Sequence, residues 1–453
     1  MILMAQRPVS AICTTTRNRM RDLLPYVYVA SNAATSMQQA IASYVCDGVA
    51  DQVQIQLALD SLPASGGAVI LSQGTFYKNT VAPITLNSNV QLLMQPNTII
   101  KLTANPGNNP VILAATSKSN ILIRGGILDG SKALQTTIID IEAMGISFVG
   151  VTDSWIDQVT IKDMGSSVAL SGRGIYFNTS SRNRITNCLC TGSKRQNIVI
   201  YLNSNNNILS NNVSVGAIGD GIQIRDSSFY NIITGNYCTG GSLAGINITS
   251  TCSDNIVTNN YCYQNASHGI SCNCSNNVIA DNSLYDNTGS GISVDSSGTY
   301  NLIADNFLDN NGGVGGGLDN GITMLGDYNC VTGNGFRKGA SQAYGIRIFA
   351  GGDNNFVSAN NLVDAGTTAA LSNAGAGNKI IGNNGWITEN YGKSTGTGAQ
   401  QTIAHGLNGT ATYAILTNED AGALPYQSAA ADATNIYVTA VNLKKWQWHA
   451  VIR

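Results

Sequence analysis

Short apolar pairs recur through the middle of the chain, each framed by two asparagines five positions apart. The motif is Asn-φ-φ-x-x-Asn, where φ is an apolar residue. Its copies begin at Asn207, Asn231, Asn255, Asn277, Asn301, Asn329, Asn355 and Asn378, with a degraded copy at Asn183. Most copies follow one another after 22 to 24 residues. A period of this length is typical of a solenoid whose coils each contain three short strands and three corners.

A second marker keeps the same spacing. Segments such as Gly221-Ile-Gln-Ile, Gly245-Ile-Asn-Ile and Gly269-Ile-Ser-Cys begin with glycine and then alternate. Because side chains of a strand alternate between its two faces, the first and third residues after each glycine should point inward and the second outward. We therefore predict an all-β fold, a single-stranded parallel β-helix. We expect it to be right-handed, because parallel crossover connections overwhelmingly have that hand.

The repeated asparagines should stack from coil to coil. Side-chain amides at a corner can bond along the axis and satisfy backbone groups that would otherwise be buried without partners. The pattern predicts two such ladders: Asn231, Asn255, Asn277 and Asn301 in one, and Asn236, Asn260 and Asn282 in the other. The longest step, between Gly291 and Gly321, contains a glycine-rich stretch that should bulge outward beside the Gly-led strands.

The flanks of the repeat differ from it. Residues 51–62 place apolar side chains, among them Val53 and Ile55, on one helical face before Pro63, and this helix is expected to cap the open end of the β-helix. After Trp386 the repeat stops, a linker is expected over residues 393–398, and short strands follow. The predicted domains are an N-terminal extension (1–45), the β-helix with its helical cap (46–392) and a small β-sandwich-like module (393–453).

Composition narrows the classes of partner. Only 11% of the residues are charged and the net charge is −2, so neither nucleic acid nor an anionic membrane is an expected partner. The opening residues 1–21 carry four arginines and no continuous apolar stretch, so no signal peptide is expected. Cysteines recur at fixed repeat positions, as at Cys190, Cys238 and Cys262, which favours reduced thiols stacked as small core residues.

Three motifs at the start of the repeat carry a resemblance to a known superfamily. They are Asp47-Gly-Val-Ala-Asp51 before the helix, Gly66-Gly-Ala-Val-Ile-Leu-Ser-Gln-Gly-Thr-Phe76, and Gly125-Gly-Ile-Leu-Asp-Gly130. Residues from about 45 to 390 thus resemble the pectate-lyase-like right-handed β-helix proteins, which include polysaccharide lyases, galacturonases, epimerases and phage tailspikes. The C-terminal module resembles modules that end phage tail appendages. The resemblance implies a polysaccharide partner, an extracellular or virion-surface location and trimerisation through the C-terminal module.

The resemblance also implies a sugar groove along the outward face of the Gly-led strands. The catalytic candidates cluster in two adjacent coils, and they are Lys194, Tyr201, Asp220, Arg225 and Asp226. The substrate-binding candidates, chosen as outward polar or aromatic positions, are Tyr176, Asn178, Gln223, Asn247 and Arg347. Asp140 and Glu142 are expected on the same face, one or two coils earlier. Arg225 is expected to bind an anionic or hydroxyl-rich group, and the alternative is a local ion pair with Asp220 or Asp226.

These residue types leave the reaction open. Hydrolysis of a glycoside needs two carboxylates, whereas β-elimination needs a base such as Lys, Arg or Tyr and a cation that neutralises the uronate. No cofactor is required by the pattern, and Ca²⁺ is the candidate metal. The galacturonase signatures and the Asp-Pro-His-Glu run of alginate epimerases are absent from the sequence. Asp220 and Asp226 also suit plain turn positions. The predicted function is polysaccharide recognition and cleavage by a lyase or hydrolase, and the alternative is a non-enzymatic appendage or surface-layer protein.

Overall fold

The computed structural model describes residues 25–136, 143–168, 172–313, 319–421 and 423–452. Nearly all of the regular structure is β-strand, and the strands of the repeat pair in parallel. The described residues up to Ile232 form one compact unit and those from Ile233 form a second, with the boundary inside the strand Ile232–Thr234. Each unit contains parallel β-helix coils, as the repeat predicts, and they have the right-handed sense that parallel crossover connections favour.

Three parallel sheets build the first unit. Sheet A contains Tyr26–Ala30, Tyr44–Val45, Gly67–Leu71, Val90–Met94, Leu122–Arg124, Trp155–Asp157, Arg184–Thr186 and Ile208–Ser210. Sheet B contains Gly74–Lys78, Thr98–Leu102, Ile127–Asp129, Thr160–Lys162, Leu189–Thr191 and Val213–Val215. Sheet C contains Ile84–Thr85, Val111–Thr116, Met144–Val149, Arg173–Asn178, Ile198–Tyr201 and Ile222–Arg225. A 3₁₀ turn covers Lys132–Leu134.

The core of the first unit follows the predicted alternation. In sheet C the inward residues Ile175, Phe177, Ile222 and Ile224 are fully buried. Phe177 stacks on Phe148 of the preceding coil, with ring centroids 5.4 Å apart. Like side chains therefore pack on like side chains along the axis, because every strand pairs in register with its neighbour.

Two helices lie at the front of the first unit, Ser36–Ile41 and Gln52–Asp60. The second is the predicted cap, and it buries Ile55, Ala58 and Leu59, whereas Val53 on its predicted apolar face is exposed. The fully buried Asp51 explains the Asp-Gly-Val-Ala-Asp motif, because its carboxylate accepts the backbone N–H groups of Gly48 (2.8 Å) and Tyr77 (2.7 Å). One carboxylate thereby fixes the start of the helix to the adjacent strand.

The predicted boundaries at both ends of the β-helix need correction. Sheet A begins at Tyr26 rather than after residue 45, since Tyr26–Ala30 pairs in parallel with Gly67–Leu71. This strand carries none of the repeat's markers, so its sequence gave no sign of the coil. The linker expected over residues 393–398 is also wrong in its first half, because Glu389–Thr395 is a continuous strand of the C-terminal module.

Three further parallel sheets build the coils of the second unit. After Ile232–Thr234, sheet D contains Ile256–Thr258, Val278–Ala280, Leu302–Ala304, Cys330–Thr332, Phe356–Ser358 and Lys379–Ile381. Sheet E contains Tyr237–Thr239, Tyr261–Tyr263, Ser283–Tyr285, Phe307–Asp309 and Gly335–Arg337. Sheet F contains Ile246–Thr249, Ile270–Cys272, Ile292–Val294, Asn320–Met324, Tyr344–Ile348 and Ala369–Asn373.

Glycine opens the strands of sheet F because the coils approach closely there. A Cβ on Gly245 would lie 2.8 Å from the carbonyl oxygen of Gly269, and one on Gly269 would lie 2.7 Å from that of Gly291. Any larger residue would push neighbouring coils apart. This close backbone contact therefore explains why each marker in the sequence begins with glycine.

The asparagine ladders are confirmed within each unit. In the second unit, Asn236, Asn260, Asn282, Asn306, Asn334, Asn360 and Asn383 form the Asn236 ladder, in which each Oδ1 accepts the backbone N–H of the preceding rung at 2.9–3.0 Å. Asn255, Asn277 and Asn301 stack in the same way. In the first unit Asn207 donates to Asn231. A further ladder of Asn265, Asn287 and Asn311 was not predicted.

The described cysteines are free thiols, and all except the half-buried Cys330 are buried. Cys238 and Cys262 lie in register on adjacent strands of sheet E, as their repeat position predicts. Burial raises the pKa of the Cys272 thiol to about 12, which keeps it protonated and unreactive. These residues therefore serve as small core side chains.

The C-terminal module consists of two three-stranded antiparallel sheets. Sheet G contains Glu389–Thr395, Lys445–Val451 and Tyr413–Asn418, and sheet H contains Gln400–Ala404, Asn435–Thr439 and Tyr426–Ala429. Trp446, Trp448, Ile436 and Val438 from the two sheets share one buried core, as in a sandwich. His405 is structural: its buried ring accepts the N–H of Leu407 through Nδ1.

The Asn236 ladder generates a stability prediction. Asn260 donates to Asn282 Oδ1 (3.0 Å) and to the carbonyl of Ile233 (2.9 Å). Asn260→Asp replaces these donors with a buried carboxylate facing two oxygens, and should lower the free energy of unfolding by about 3 kcal/mol. The matched control is Asn259→Asp, one residue away, exposed and in the left-handed region (φ 56°) that Asp also tolerates. Equal urea midpoints for the two variants would contradict the ladder's role.

Candidate functional site

The outward side chains of sheet C form the surface on which the sequence places most candidates, and we call it the sheet C face. Strand register assigns its rows: Tyr176 pairs with Val199, which pairs with Gln223. Asn178 pairs with Tyr201, which pairs with Arg225. Because adjacent parallel strands lie about 4.8 Å apart, members of one row are direct neighbours.

Two stacked aromatic rings on this face each contact a guanidinium group. Tyr176 and Tyr201 stack with ring centroids 5.7 Å apart. The guanidinium of Arg173 lies 4.9 Å from the ring centroid of Tyr176, and that of Arg225 lies 5.5 Å from that of Tyr201. We call these four residues the Arg–Tyr column. Cation–π contacts of this kind hold both partners in fixed orientations.

The column stands on apolar support. Tyr176 packs with Met144 and Val199 in a buried cluster, and Val111 and Tyr201 border it. Arg173 is also buried, although it points to the outside of the coil. The outward candidates are therefore not fully solvated: Tyr176 and Gln223 are buried, and Asn178, Tyr201 and Arg225 are half-buried.

A buried polar row lies just before these strands. Arg173, Gln196 and Asp220 each precede the first residue of the Gly-led marker in successive coils, and all three are buried. Asp220 is only 2% exposed, and its Oδ2 accepts a hydrogen bond from Gln223 Nε2 at 2.9 Å. Sequence reasoning found Asp220 but missed Arg173 and Gln196. Their shared position before the marker was the signal that could have identified them.

The remaining candidates of the first unit take distinct positions. Arg225 Nε donates to Asp226 Oδ2 at 2.8 Å, which is the local ion pair considered as the alternative for Arg225. Asp226 itself has φ 55°, so it also serves the corner. Lys194 is half-buried in the segment leading to sheet C, where its backbone N–H donates to Met164. The structure thus brings Tyr176, Tyr201 and Arg225 together and places Lys194 before the strand.

Two candidates and two acidic residues lie elsewhere. Asn247 and Arg347 belong to sheet F of the second unit, where Asn247 pairs with Ser271 and Arg347 with Thr323. Arg347 lies over the rings of Phe349 (4.3 Å) and Tyr344 (5.0 Å). Asp140 and Glu142, placed on the sheet C face by the sequence, lie outside the described residues, as does most of the glycine-rich stretch after Asn310.

Several proteins are similar to this chain. The family model for NosD, described as a periplasmic copper-binding protein, matches residues 108–311. The A-module of the Azotobacter vinelandii mannuronan C-5 epimerase AlgE6 is 19% identical, with a TM-score of 0.64 over 75% of this chain and 96% of that one. The Dettilon tailspike protein gp208 is 16% identical, with a TM-score of 0.62 over 94% of each chain. No curated protein matches the sequence significantly.

The matching family model is described as copper-binding, and a copper ion needs several ligating side chains close together. Within the described ranges, no three His, Cys, Asp or Glu side chains lie close enough to share a metal ion. The cysteines are buried core residues, and burial raises the pKa of Cys188 to about 12, which opposes the thiolate form that a metal needs. The described donors therefore do not fit copper.

The role of Asp220 can be separated into charge and hydrogen bonding. Asp220→Ala removes the acceptor of the buried Gln223 amide and should lower the free energy of unfolding by about 1–3 kcal/mol. Asp220→Asn keeps an acceptor oxygen and should stay within about 1 kcal/mol of the wild type. Chemical denaturation measures both, and a destabilised Asn variant would show that the buried charge itself is needed.

No helix in the described part of the chain is long and apolar enough to cross a membrane.

The parallel register of the sheets, the asparagine ladders and the similarity to epimerase and tailspike structures all indicate the same architecture. The chain has a right-handed parallel β-helix fold, similar to that of the epimerase module and the tailspike protein.

Proposed function

We propose that the sheet C face of the first unit binds an acidic polysaccharide and cleaves it by β-elimination. The Arg–Tyr column carries the proposal, because it combines two guanidinium groups with two rings on one supported surface. Guanidinium donors suit a uronate carboxylate, and tyrosine offers both a ring and a hydroxyl to a sugar. The AlgE6 module, named a mannuronan C-5 epimerase, is an example of this fold acting on a polysaccharide.

Charge favours an acidic rather than a neutral substrate. Residues 173–226 bring Arg173, Lys194 and Arg225 to sheet C or to the segments that lead into it, together with Asp220 and Asp226. One of these carboxylates is nearly inaccessible and the other is paired with Arg225. These five groups carry three positive and two negative charges, a net charge of +1, in a protein whose overall net charge is −2. Such a local excess attracts an anionic chain.

The state of the carboxylates favours elimination over hydrolysis. Hydrolysis needs an acid and a second carboxylate on opposite sides of the glycosidic bond. Asp220 is buried against Gln223, and Asp226 is held by Arg225. In β-elimination a base takes the proton at C5 of the uronate, the electron pair forms the C4–C5 double bond, and the C4–O bond breaks as the leaving oxygen gains a proton. Basic and phenolic groups can supply these steps.

We assign roles on this basis. Arg225 pairs with the uronate carboxylate and stabilises charge that develops at C5, with Asp226 orienting its guanidinium. Tyr201, between Tyr176 and Arg225, is the candidate for proton transfer, and Lys194 is the second candidate base. Tyr176, Asn178 and Gln223 shape the subsites. Asn247 and Arg347 remain proposed glycan contacts on sheet F of the second unit.

Binding without cleavage is the second candidate function. It is favoured by the contacts of the two described carboxylates, because Asp220 accepts from Gln223 and Asp226 pairs with Arg225, an arrangement that suits recognition as well as chemistry. In that case the protein is an adhesin or appendage. An extracellular or virion-surface location is proposed with either function, in keeping with the tailspike similarity and with a family model described as periplasmic.

Trimerisation through the C-terminal module is also proposed. Tyr391 and Ile415 flank His449 in register on sheet G, and they are 80% and 51% exposed. Exposed apolar side chains of this size in one row suit a subunit interface. Light scattering on the full chain should give three times the chain mass, and Ile415→Lys should shift it to one. A monomeric wild type would reject the proposal.

The experiment for the proposed reaction measures unsaturated uronate absorbance and new reducing ends with alginate, polygalacturonate and hyaluronan. Arg225→Ala should lower the rate on the best substrate by about 10²-fold, the usual effect of removing one charge-stabilising group. Its stability should change by less than about 1 kcal/mol, because half-exposed ion pairs contribute little.

The matched control is Arg182→Ala. Arg182 is also paired with an aspartate, Asp153, at 2.8 Å, but it lies at an exposed corner between a strand of sheet C and a strand of sheet A and belongs to neither strand. Full activity of Arg225→Ala on a cleaved substrate would reject the site. Binding of an acidic glycan without any product would select the adhesin function.

A further inference from the structure

Sheet E of the second unit carries aromatic side chains that the proposed function does not use. Tyr237 and Tyr261 stack with ring centroids 5.1 Å apart, and Tyr261 and Tyr285 stack at 5.0 Å. Tyr285 reaches over Ser283, its neighbour in the strand, and lies 5.7 Å from Phe307. Tyr263 tilts against Tyr261 at 6.2 Å. These five rings all project from the outer face of one sheet.

The rings border an open cleft of about 460 Å³, which we call the tyrosine cleft. Its lining consists of Tyr261, Tyr263, Tyr285, Asp286, Asp309, Asn310, Arg337 and Gly339. The volume falls within the range of small-ligand sites. Gly335 follows Phe307 in the aromatic row, so the row ends at Phe307 without a further ring.

Polar groups of the cleft are held in place by their own contacts. The Asp309 carboxylate is 6% exposed and forms an ion pair with Arg337, whose side chain is 68% exposed. Asn310 Nδ2 donates to Asp286 Oδ1 at 2.7 Å, while its Oδ1 accepts the N–H of Ala340 at 2.8 Å. Gly339 (φ 52°) permits this, since a Cβ there would lie 2.1 Å from Asn310 Oδ1. The cleft wall is therefore fixed before any ligand arrives.

We propose that the tyrosine cleft is a second saccharide-binding site, specific for an uncharged sugar chain. Asp286, Asp309, Asn310 and Arg337 offer the planar donors and acceptors that sugar hydroxyls need, and the tyrosines add rigid surface with hydroxyls at its edge. With two carboxylates and one guanidinium the cleft has a net negative charge, so a uronate is repelled. This site is independent of the sheet C face and of any cleavage there.

The alternative of a purely structural tyrosine stack has an internal comparison. Tyr300 and Tyr328 also stack, with centroids 5.0 Å apart, at an exposed corner of the second unit, and neither belongs to the cleft lining. They offer ring stacking outside the cleft. A ligand site should therefore distinguish the two stacks, whereas a merely stabilising role should not.

The test is affinity gel electrophoresis of the full chain in native gels containing dextran, galactomannan, barley β-glucan, xylan or, as the charged comparison, alginate. At least one neutral polysaccharide should retard the wild type. The double variant Tyr261→Ala/Tyr285→Ala should weaken that retardation by about tenfold or more, equivalent to about 1.4 kcal/mol. Tyr300→Ala/Tyr328→Ala should leave it unchanged. Tyr261→Phe, which keeps the stack but removes one hydroxyl, guards against misfolding of the double variant.

Three outcomes overturn the inference. One is the absence of retardation by every neutral polysaccharide. Another is equal loss of retardation in the cleft and corner variants. The third is a change of oligomeric mass on light scattering in the cleft variants alone, which would make this surface a subunit contact. Retardation by alginate that survives the cleft variants bears on the sheet C face instead, so the two proposals fail separately.

Discussion

The in-register stacking of coils is the constraint on which the rest of the structure depends. Many strands of the coils have only three residues with which to hydrogen bond, and their partners lie in the coils before and after them. A shift of one residue would turn every inward side chain outward. The corner asparagines fix this register, because each amide reaches the backbone of one coil and the side chain of the next.

This constraint also shapes the surface. Outward side chains at equivalent positions of successive coils are nearest neighbours, so the functional groups on the surface are arranged in rows. On sheet C, Tyr201 and Arg225 are neighbours in one row, and Tyr201 also stacks diagonally on Tyr176 of the adjacent row, which completes the Arg–Tyr column. On sheet E the result is a stack of tyrosines beside a carboxylate-rich cleft. The two surfaces differ in charge although the same backbone supports them.

The sequence predicts what depends on the repeat and fails where contacts are local or irregular. The period and the alternation were sufficient for the parallel coils, the buried face and two ladders. The Tyr26–Ala30 strand was not predicted, because it carries no repeat marker and is defined only by its pairing with Gly67–Leu71. Arg173 escaped because its burial depends on packing against Tyr176, and Tyr285 because it leaves its own row to reach Tyr261. Asp220 was found, but its burial and its bond to Gln223 follow from the fold of the preceding segment.

The Asn236 ladder has a direction, since the backbone N–H and, in most rungs, the side-chain amide donate toward the next coil while each Oδ1 accepts from the previous one. Every rung therefore presents the same two ends, and any rung can follow any other. Deletion or duplication of one whole coil again places an Oδ1 acceptor next to a backbone N–H donor, whereas deletion of half a coil does not. Insertions and deletions are therefore tolerated in whole repeats. The number of coils can change during evolution while the cross-section of the β-helix stays the same.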